Sequence, residues 1–388
     1  SNIRRYIIEN DYLEAIIQLP NNLFYNTGIT TYVWVLSNNK AAPRRGKVQL
    51  IDGSNLYQKL RKNLGEKNCE FTDEHIHQIT QLYLEMPNGG ISQVFNNRDF
   101  GYYKVTVERP LRLAAQFTTE RIATLRFTPG MQDIMEWIYG KYGEEVYTDL
   151  KSHTEAIEIH LEHEEIALSP KNRKALLSES AWREQREIMH AAQRLAEKIG
   201  SGEFLDFNRF ECIVDETLKQ LGLKLPAPVR KQILNAVSWR DERAEKVIKK
   251  ILKLNAAKLA ELLAELSTTR DKLADYGYWP NDKGEYIEYE PDSELRDTEN
   301  VPLALDSSLA ASGVIHDYFI REVRPHVDEA WIAIGKTVIG YEISFNKYFY
   351  QHKPLRSLEE VTAEILKLEA ETDGLLKQLV SFVSEAKQ

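Results

Sequence analysis

Phe24 and Tyr25, followed at once by Asn26, Thr27 and Gly28, combine two stackable rings with an amide, a hydroxyl and a flexible backbone position. That combination can hold a nucleobase. Every base offers a π-face to an aromatic ring, Asn and Thr side chains reach phosphate and sugar, and Gly lets a tight loop adopt positive φ. A second reading of the same residues has the two rings packed on a sheet edge. The densest basic run of the chain follows: Arg44, Arg45 and Lys47, then Lys59, Arg61, Lys62 and Lys67. Cations at this density can lie along a nucleic-acid backbone, where phosphate contacts position a protein without reading sequence, or can form an ordinary solvated surface.

Other reactive residue types lack the company their chemistry needs. Ala330-Trp331-Ile332-Ala333-Ile334-Gly335-Lys336-Thr337 has the outline of a phosphate loop with Ala for its first Gly. Trp and two Ile leave no small-residue amide cradle, however, and residues 338–343 read as extended where a helix should start. His160, His163 and Glu164 stand beside Glu162 and Glu165 on a charged helix without a cysteine or a distant third ligand, and read as a solvated face. Cys69 and Cys212 have neither a disulfide framework nor a nucleophile's motif. The acidic pair and Glu-x-Lys of a nuclease strand cannot be placed.

The elements that position these residues begin with two strands, 13–19 and 30–36, rich in Ile, Val, Tyr and Trp. Their almost continuous apolar character predicts burial on both faces. Residues 3–10 read as the end of a helix, 47–51 as a third strand, 73–85 as a helix capped at Thr72, and 102–107 as a further extended piece. A strand pair of this kind normally closes a larger sheet, so the chain reads as a fragment whose sheet is incomplete. From about 131 to 274 the period turns helical, and 276–352 is aromatic and turn-rich with a helix at 315–323. Two helices carry heptad stripes: Ile248, Leu252, Asn255, Leu259, Leu262 and Leu266 in one, and Leu358, Val361, Ile365, Leu368, Leu375 and Leu379 in a last helix over 357–386 that Ser357 and Glu360 cap as a box. Such stripes seek another helix, inside or outside the chain.

Composition bounds the rest. A length of 388 residues implies two or three compact units, and four segments are expected: 1–128, a helical domain at 129–275, a mixed segment at 276–356 and a terminal helix at 357–388. Two cysteines, with no signal peptide and no bilayer-length apolar run, fit a reducing cytoplasm and no membrane. The net charge of −9 is uneven: residues 1–127 carry 16 Lys and Arg against 12 Asp and Glu, the remainder 34 against 47. A mildly basic first part suits phosphates, and an acidic, Leu-rich remainder suits protein contacts.

One long stretch carries a family resemblance. Ile3-Arg4-Arg5-Tyr6-Ile7-Ile8-Glu9-Asn10-Asp11-Tyr12-Leu13 through Leu19-Pro20, then Leu23-Phe24-Tyr25-Asn26-Thr27-Gly28-Ile29, resembles the modification subunit of type I restriction-modification enzymes, the N6-adenine DNA methyltransferases. The likeness continues through Arg45-Gly46-Lys47-Val48-Gln49-Leu50-Ile51-Asp52, Lys59-Leu60-Arg61-Lys62-Asn63-Leu64-Gly65 and Val107-Glu108-Arg109-Pro110-Leu111-Arg112. It resumes at Asp328-Glu329-Ala330-Trp331 and Gly340-Tyr341-Glu342-Ile343. It implies an α/β remnant, the last antiparallel strands of a Rossmann-like methyltransferase sheet, followed by a mainly α-helical region that ends in a long coiled-coil-like helix.

The resemblance also implies roles. The parent enzyme transfers a methyl group from S-adenosylmethionine to adenine N6, and residues 24–28 form the rim that meets an extruded adenine. The terminal stripe docks the specificity subunit, which reads the DNA sequence, and a restriction subunit can join. The chain has no Asn-Pro-Pro-aromatic motif and no Gly-x-Gly-x-x-Gly after a strand. It is therefore expected to bind no cofactor and to be inactive alone. The alternative is a non-catalytic helical interaction or scaffold protein.

Overall fold

The first apolar run becomes strand β1 (Leu13–Gln18), entered from helix α1 (Asn2–Glu9) and buried over almost its whole length. In this computed structural model, which describes residues 2–304, 310–350, 357–368, 370 and 371, the chain divides into two compact units. One comprises Ser1–Phe100 with Tyr341–Gln388, the other Gly101–Gly340.

In the first unit, β1 lies between β2 (Tyr32–Leu36), which pairs antiparallel, and β3 (Lys47–Asp52), which pairs parallel. After β3 come the hairpin β4 (Gln58–Leu64) and β5 (Lys67–Glu70), helix α2 (Asp73–Glu85) and strand β6 (Ser92–Asn96), which pairs antiparallel with β3. The sheet order is β2-β1-β3-β6. The sheet is thus mixed, which corrects the expectation of antiparallel strands alone: the β1-to-β3 connection crosses over through the edge strand β2. Burial of β2 on both faces is a second correction. As an edge strand it leaves Val33 43% and Trp34 39% exposed on its two faces.

Helix α2 starts where Thr72 predicts. The Thr72 hydroxyl accepts from the His75 amide, and the Thr72 amide donates to His75 Nδ1. Its Ile79, Leu82 and Tyr83 pack on Ile17, Leu19 and Ile51 of the sheet. The chain returns to this unit near its end, where the Tyr348 carbonyl accepts from Gln93 Nε2 at 2.9 Å and its ring lies 4.3 Å from Phe95. Ser357 and Glu360 form the expected reciprocal box, each amide donating to the other's side chain at 3.2 Å, and residues 358–368 are helical. Leu358 and Ile365 are exposed; Leu375 and Leu379 lie outside the described residues.

The second unit is mixed α and β. Strand β7 (Gly101–Glu108) leads to β8 (Leu113–Ala115) and seven helices: α3 (Thr119–Thr124), α4 (Gln132–Tyr142), α5 (Thr154–His163), α6 (Pro170–Leu176), α7 (Glu179–Ile199), α8 (Phe207–Gln220) and α9 (Ala227–Ala236). Their apolar faces form two cores, one around Phe210, Leu195 and Val237 and one around Trp182, Ile138 and Tyr147. Then β9 (Ser238–Arg240) pairs with β8, and β10 (Ile248–Leu252) precedes helix α10 (Ala256–Leu266). Strands β11 (Trp279–Pro280) and β12 (Tyr286–Tyr289) complete a three-stranded sheet with β10, while β13 (Asp297–Pro302) and, after α11 (Ala311–Tyr318), β14 (Trp331–Ile332) both pair with β7.

The heptad stripe from Ile248 to Leu266 is therefore not one helix. Ile248–Leu252 pairs antiparallel with Tyr286–Tyr289, and the chain turns before Asn255, whose side chain accepts from the Lys258 amide and caps α10. Tertiary pairing outweighs a spacing that suits a helix. Among the described residues, no helix is long and apolar enough to cross a membrane.

Candidate nucleic-acid interface

Residues 19–31, between β1 and β2, fold as a closed loop. The Leu19 amide donates to the Thr31 carbonyl at 2.9 Å, the Thr30 hydroxyl donates to Asn21 Oδ1 at 2.7 Å, and Phe24 and Thr27 form a bridge that turns the tip. Phe24 and Tyr25 are 46% and 58% exposed, so the rings stand out from the sheet edge and do not pack on it. The left-handed residue of the loop is Asn22 (φ 56°), not Gly28. Gly28 earns its place by closeness: a Cβ there would come within 3.1 Å of the Asn22 side chain and 3.4 Å of Glu66.

The loop is held from outside by the β4–β5 hairpin. The Glu66 amide donates to the Tyr25 carbonyl, the Asn68 amide to the Asn22 carbonyl, and Asn22 Nδ2 to the Glu66 carbonyl, each at 3.0 Å. At the hairpin turn, Gly65 (φ 63°) has no room for a side chain, because a Cβ would sit 2.7 Å from the Tyr25 carbonyl oxygen. The Cys69 thiol bonds the Asn21 carbonyl at 3.2 Å, and burial pushes its pKa up, with Lys67 opposing. Cys69 is thus a packing residue. Lys67 Nζ lies 5.5 Å from the centre of the Tyr25 ring, within reach of a cation–π contact.

This arrangement gathers part of the basic run. Lys59, Arg61 and Lys62 are exposed on β4, and among the described residues none of the three, nor Lys67, is in an ion pair. Arg45, whose Nε donates to the Lys40 carbonyl at 3.2 Å, and Lys47 stand elsewhere. Lys47 begins β3, and β3 runs parallel to β1 with Asp52 opposite Gln18, so Lys47 lies at the far end of the sheet from the loop, about 17 Å away at about 3.3 Å per residue.

Arg44 leaves the set altogether. It is buried, lies 4.1 Å over the Tyr83 ring, and donates to the Tyr83 carbonyl and to Gln49 Oε1. Gln49 in turn donates to the Leu82 carbonyl (2.7 Å) and Ser92 Oγ (2.9 Å), and the Tyr83 hydroxyl donates to Glu14. Burial, then Glu14, raises the Tyr83 pKa. This network fastens α2 to the sheet, a role no local sequence signal marks.

Comparison with known proteins matches the same stretch. A family model described as N-6 DNA Methylase matches residues 1–108. Residues 1–108 are thus similar to N-6 DNA methylases. The chain is 32% identical over 103 residues to the type I restriction enzyme MjaIX methylase subunit of Methanocaldococcus jannaschii, covering 26% of this chain and 17% of that protein. It is 40% identical over 70 residues to the MpnII methylase subunit of Mycoplasma pneumoniae (18% and 12%) and 31% over 91 residues to the EcoKI methylase subunit of Escherichia coli (23% and 17%). Among solved structures, a type I restriction-modification methyltransferase subunit from Streptococcus thermophilus is 28% identical, covering 25% of this chain and 19% of that one, with a TM-score of 0.22. The chain thus spans less than a fifth of the length of these relatives.

A methyl-donor site would need a Gly-rich turn between a strand and a helix. Neither β1 nor β3 runs through a Gly-rich turn into a helix: β1 leads to the loop just described and β3 to the β4–β5 hairpin. The turns after β1 and β3 do not fit S-adenosylmethionine. Elsewhere, His160 stacks on Trp137 at 3.5 Å, and no group of three or more His, Cys, Asp or Glu among the described residues is placed to hold a metal. Lys336 pairs with the buried Glu108 at 2.6 Å, which also takes Arg296 at 2.9 Å.

Proposed function

We propose that this chain supplies the DNA-facing rim of a type I modification subunit, whose enzyme transfers the methyl group of S-adenosylmethionine to adenine N6. In this reading β2-β1-β3-β6 ends a Rossmann-like sheet, Phe24 and Tyr25 stack on the extruded base, and Lys59, Arg61, Lys62 and Lys67 hold the phosphates beside it. The supporting observation is the docking of the exposed Phe24-Tyr25 loop on a hairpin of unpaired cations, both inside the methylase segment. Donor binding and the amine acceptors belong to residues this chain does not contain, so the chain alone binds the cofactor weakly and transfers nothing. The helix from Ser357 onward, with Leu358 and Ile365 exposed, docks the specificity subunit; a restriction subunit joins the same assembly.

The test uses the full-length modification subunit with its specificity partner and DNA carrying 2-aminopurine at the target adenine. Phe24→Ala/Tyr25→Ala is expected to lower methyl transfer at least tenfold and to suppress the 2-aminopurine signal of an extruded base, with cofactor affinity unchanged. An unaltered signal and rate would place the base elsewhere.

A further inference from the structure

In the second unit, well outside the methylase segment, Tyr276-Gly277-Tyr278 lies against Trp331 and opens a cleft of about 530 Å³. Gly277 makes the convergence possible. It closes the 3₁₀ turn Arg270–Tyr276 in the left-handed region (φ 88°), and a Cβ there would sit 2.8 Å from the Trp331 indole, so only Gly lets the backbone between the two tyrosines approach that ring. Trp331 is also fixed from the side by Trp279, whose ring meets it edge-on at 5.1 Å. Ile334 completes the apolar wall, and Glu265 and Lys336 stand at the rim.

The rim of the cleft carries both signs, and they are unequally paired. Lys336 lies 2.6 Å from Glu108, a buried carboxylate that it shares with Arg296 at 2.9 Å. Glu265 is exposed at the end of α10 and has no ion pair or hydrogen bond among the described residues. Carboxylates of neighbouring elements lie near the tyrosine hydroxyls, Glu288 paired with Lys250 and Asp275 with Arg324 and His316. Burial first, then Glu288 and Glu265, push Tyr278 up; burial first, then Asp275 and Asp317, push Tyr276 up against an opposing hydrogen bond from Thr268. Three aromatic side chains beside a carboxylate without an ion pair among the described residues form surroundings that attract an organic cation through the ring quadrupoles.

We propose that this cleft binds an organic cation of the alkylammonium or guanidinium class, with Tyr276, Tyr278 and Trp331 as the aromatic walls and Glu265 as the counter-charge. The cation can come from a free polyamine or from a Lys or Arg side chain of a partner polypeptide; the recognition chemistry is shared.

The experiment is ¹⁹F NMR on the whole chain labelled with 5-fluorotryptophan, with Trp331→Phe assigning the Trp331 resonance among the six tryptophans. Choline should move that resonance saturably. Its uncharged isostere 3,3-dimethyl-1-butanol should bind at least fivefold more weakly, and Glu265→Gln should weaken choline at least threefold while the resonances of tryptophans other than Trp331 and its neighbour Trp279 stay in place. Competition by spermidine assigns the natural cation to a polyamine, and competition by N-acetyl-arginine amide assigns it to a protein side chain. Equal binding of the neutral isostere, indifference to Glu265→Gln, a response to adenosine but not choline, or no response to any probe would overturn the proposal.

Discussion

The amide of Glu66 donates to the carbonyl of Tyr25 at 3.0 Å, and with the bonds at Asn22 it ties the turn of a basic hairpin to an aromatic loop about forty residues earlier. The two features are separate in the sequence and one surface in the fold. Gly65 is the residue that allows the approach, since its positive φ turns the hairpin and its missing side chain leaves the Tyr25 carbonyl free.

Gly65→Ala is therefore expected to lose about 1–3 kcal/mol, from an L-residue forced to positive φ and a methyl driven into a carbonyl oxygen. Gly65→Asn tolerates the φ but keeps the Cβ. Equal loss in both variants by urea denaturation assigns the effect to the clash, whereas a fully stable Gly65→Ala would mean the hairpin and loop are not docked as described.

Arg44→Ala separates stability from binding. It removes donors to Tyr83 and Gln49 in a buried network and should cost about 2–4 kcal/mol, since hydrogen bonds from a charged group contribute about 1.5–3 kcal/mol and leave unsatisfied acceptors when lost. DNA affinity measured well below the melting point should not change. A loss of affinity without a loss of stability would return Arg44 to the phosphate-binding set.

Asp11 sets an acid limb for the first unit. Its carboxylate takes Lys40 Nζ at 2.6 Å, Asn97 Nδ2 at 2.8 Å and the Gly46 amide at 2.9 Å. Burial alone would raise its pKa, but these donors together outweigh it and hold the group below its ordinary 3.8. A carboxyl depressed by folding contributes stability that is fully present above the unfolded value and is lost as pH falls through the folded one. Asp11→Asn should cost about 1–3 kcal/mol at pH 7, and the gap from wild type should narrow below about pH 4. A gap that is constant down to pH 2 would contradict the assignment.

Asn255→Leu discriminates two readings of the stripe from Ile248 to Leu266. As a seam position of one long helix, Leu would stabilise; as the N-cap of α10, replacing Asn should cost about 1 kcal/mol in thermal unfolding. The structure predicts the loss.

What could be read from sequence was local. The cap at Thr72, the burial of β1 and the box at Ser357 and Glu360 each depend on residues within a few positions, and each stands as read. What escaped depends on distant partners. Ile248–Leu252 is a strand because residues 286–289 lie beside it, Arg44 turns inward because Tyr83 and Gln49 await it, and β2 is open because it is an edge. The division of the basic run followed from the parallel β1–β3 register, which no spacing of Lys and Arg encodes.

The salt dependence of DNA binding by Lys59→Ala/Arg61→Ala/Lys62→Ala, compared with wild type in the proposed complex of modification and specificity subunits, tests the central claim most directly. Each phosphate contact adds about 0.9 to the slope of log K against log salt, so loss of three should flatten the slope by roughly 2–3. Arg45→Ala/Lys47→Ala, at the far end of the sheet, should lower affinity by an amount that simply adds to that of the hairpin variant. An unchanged slope in the folded hairpin variant would contradict the assignment of this loop and hairpin as the DNA-facing surface.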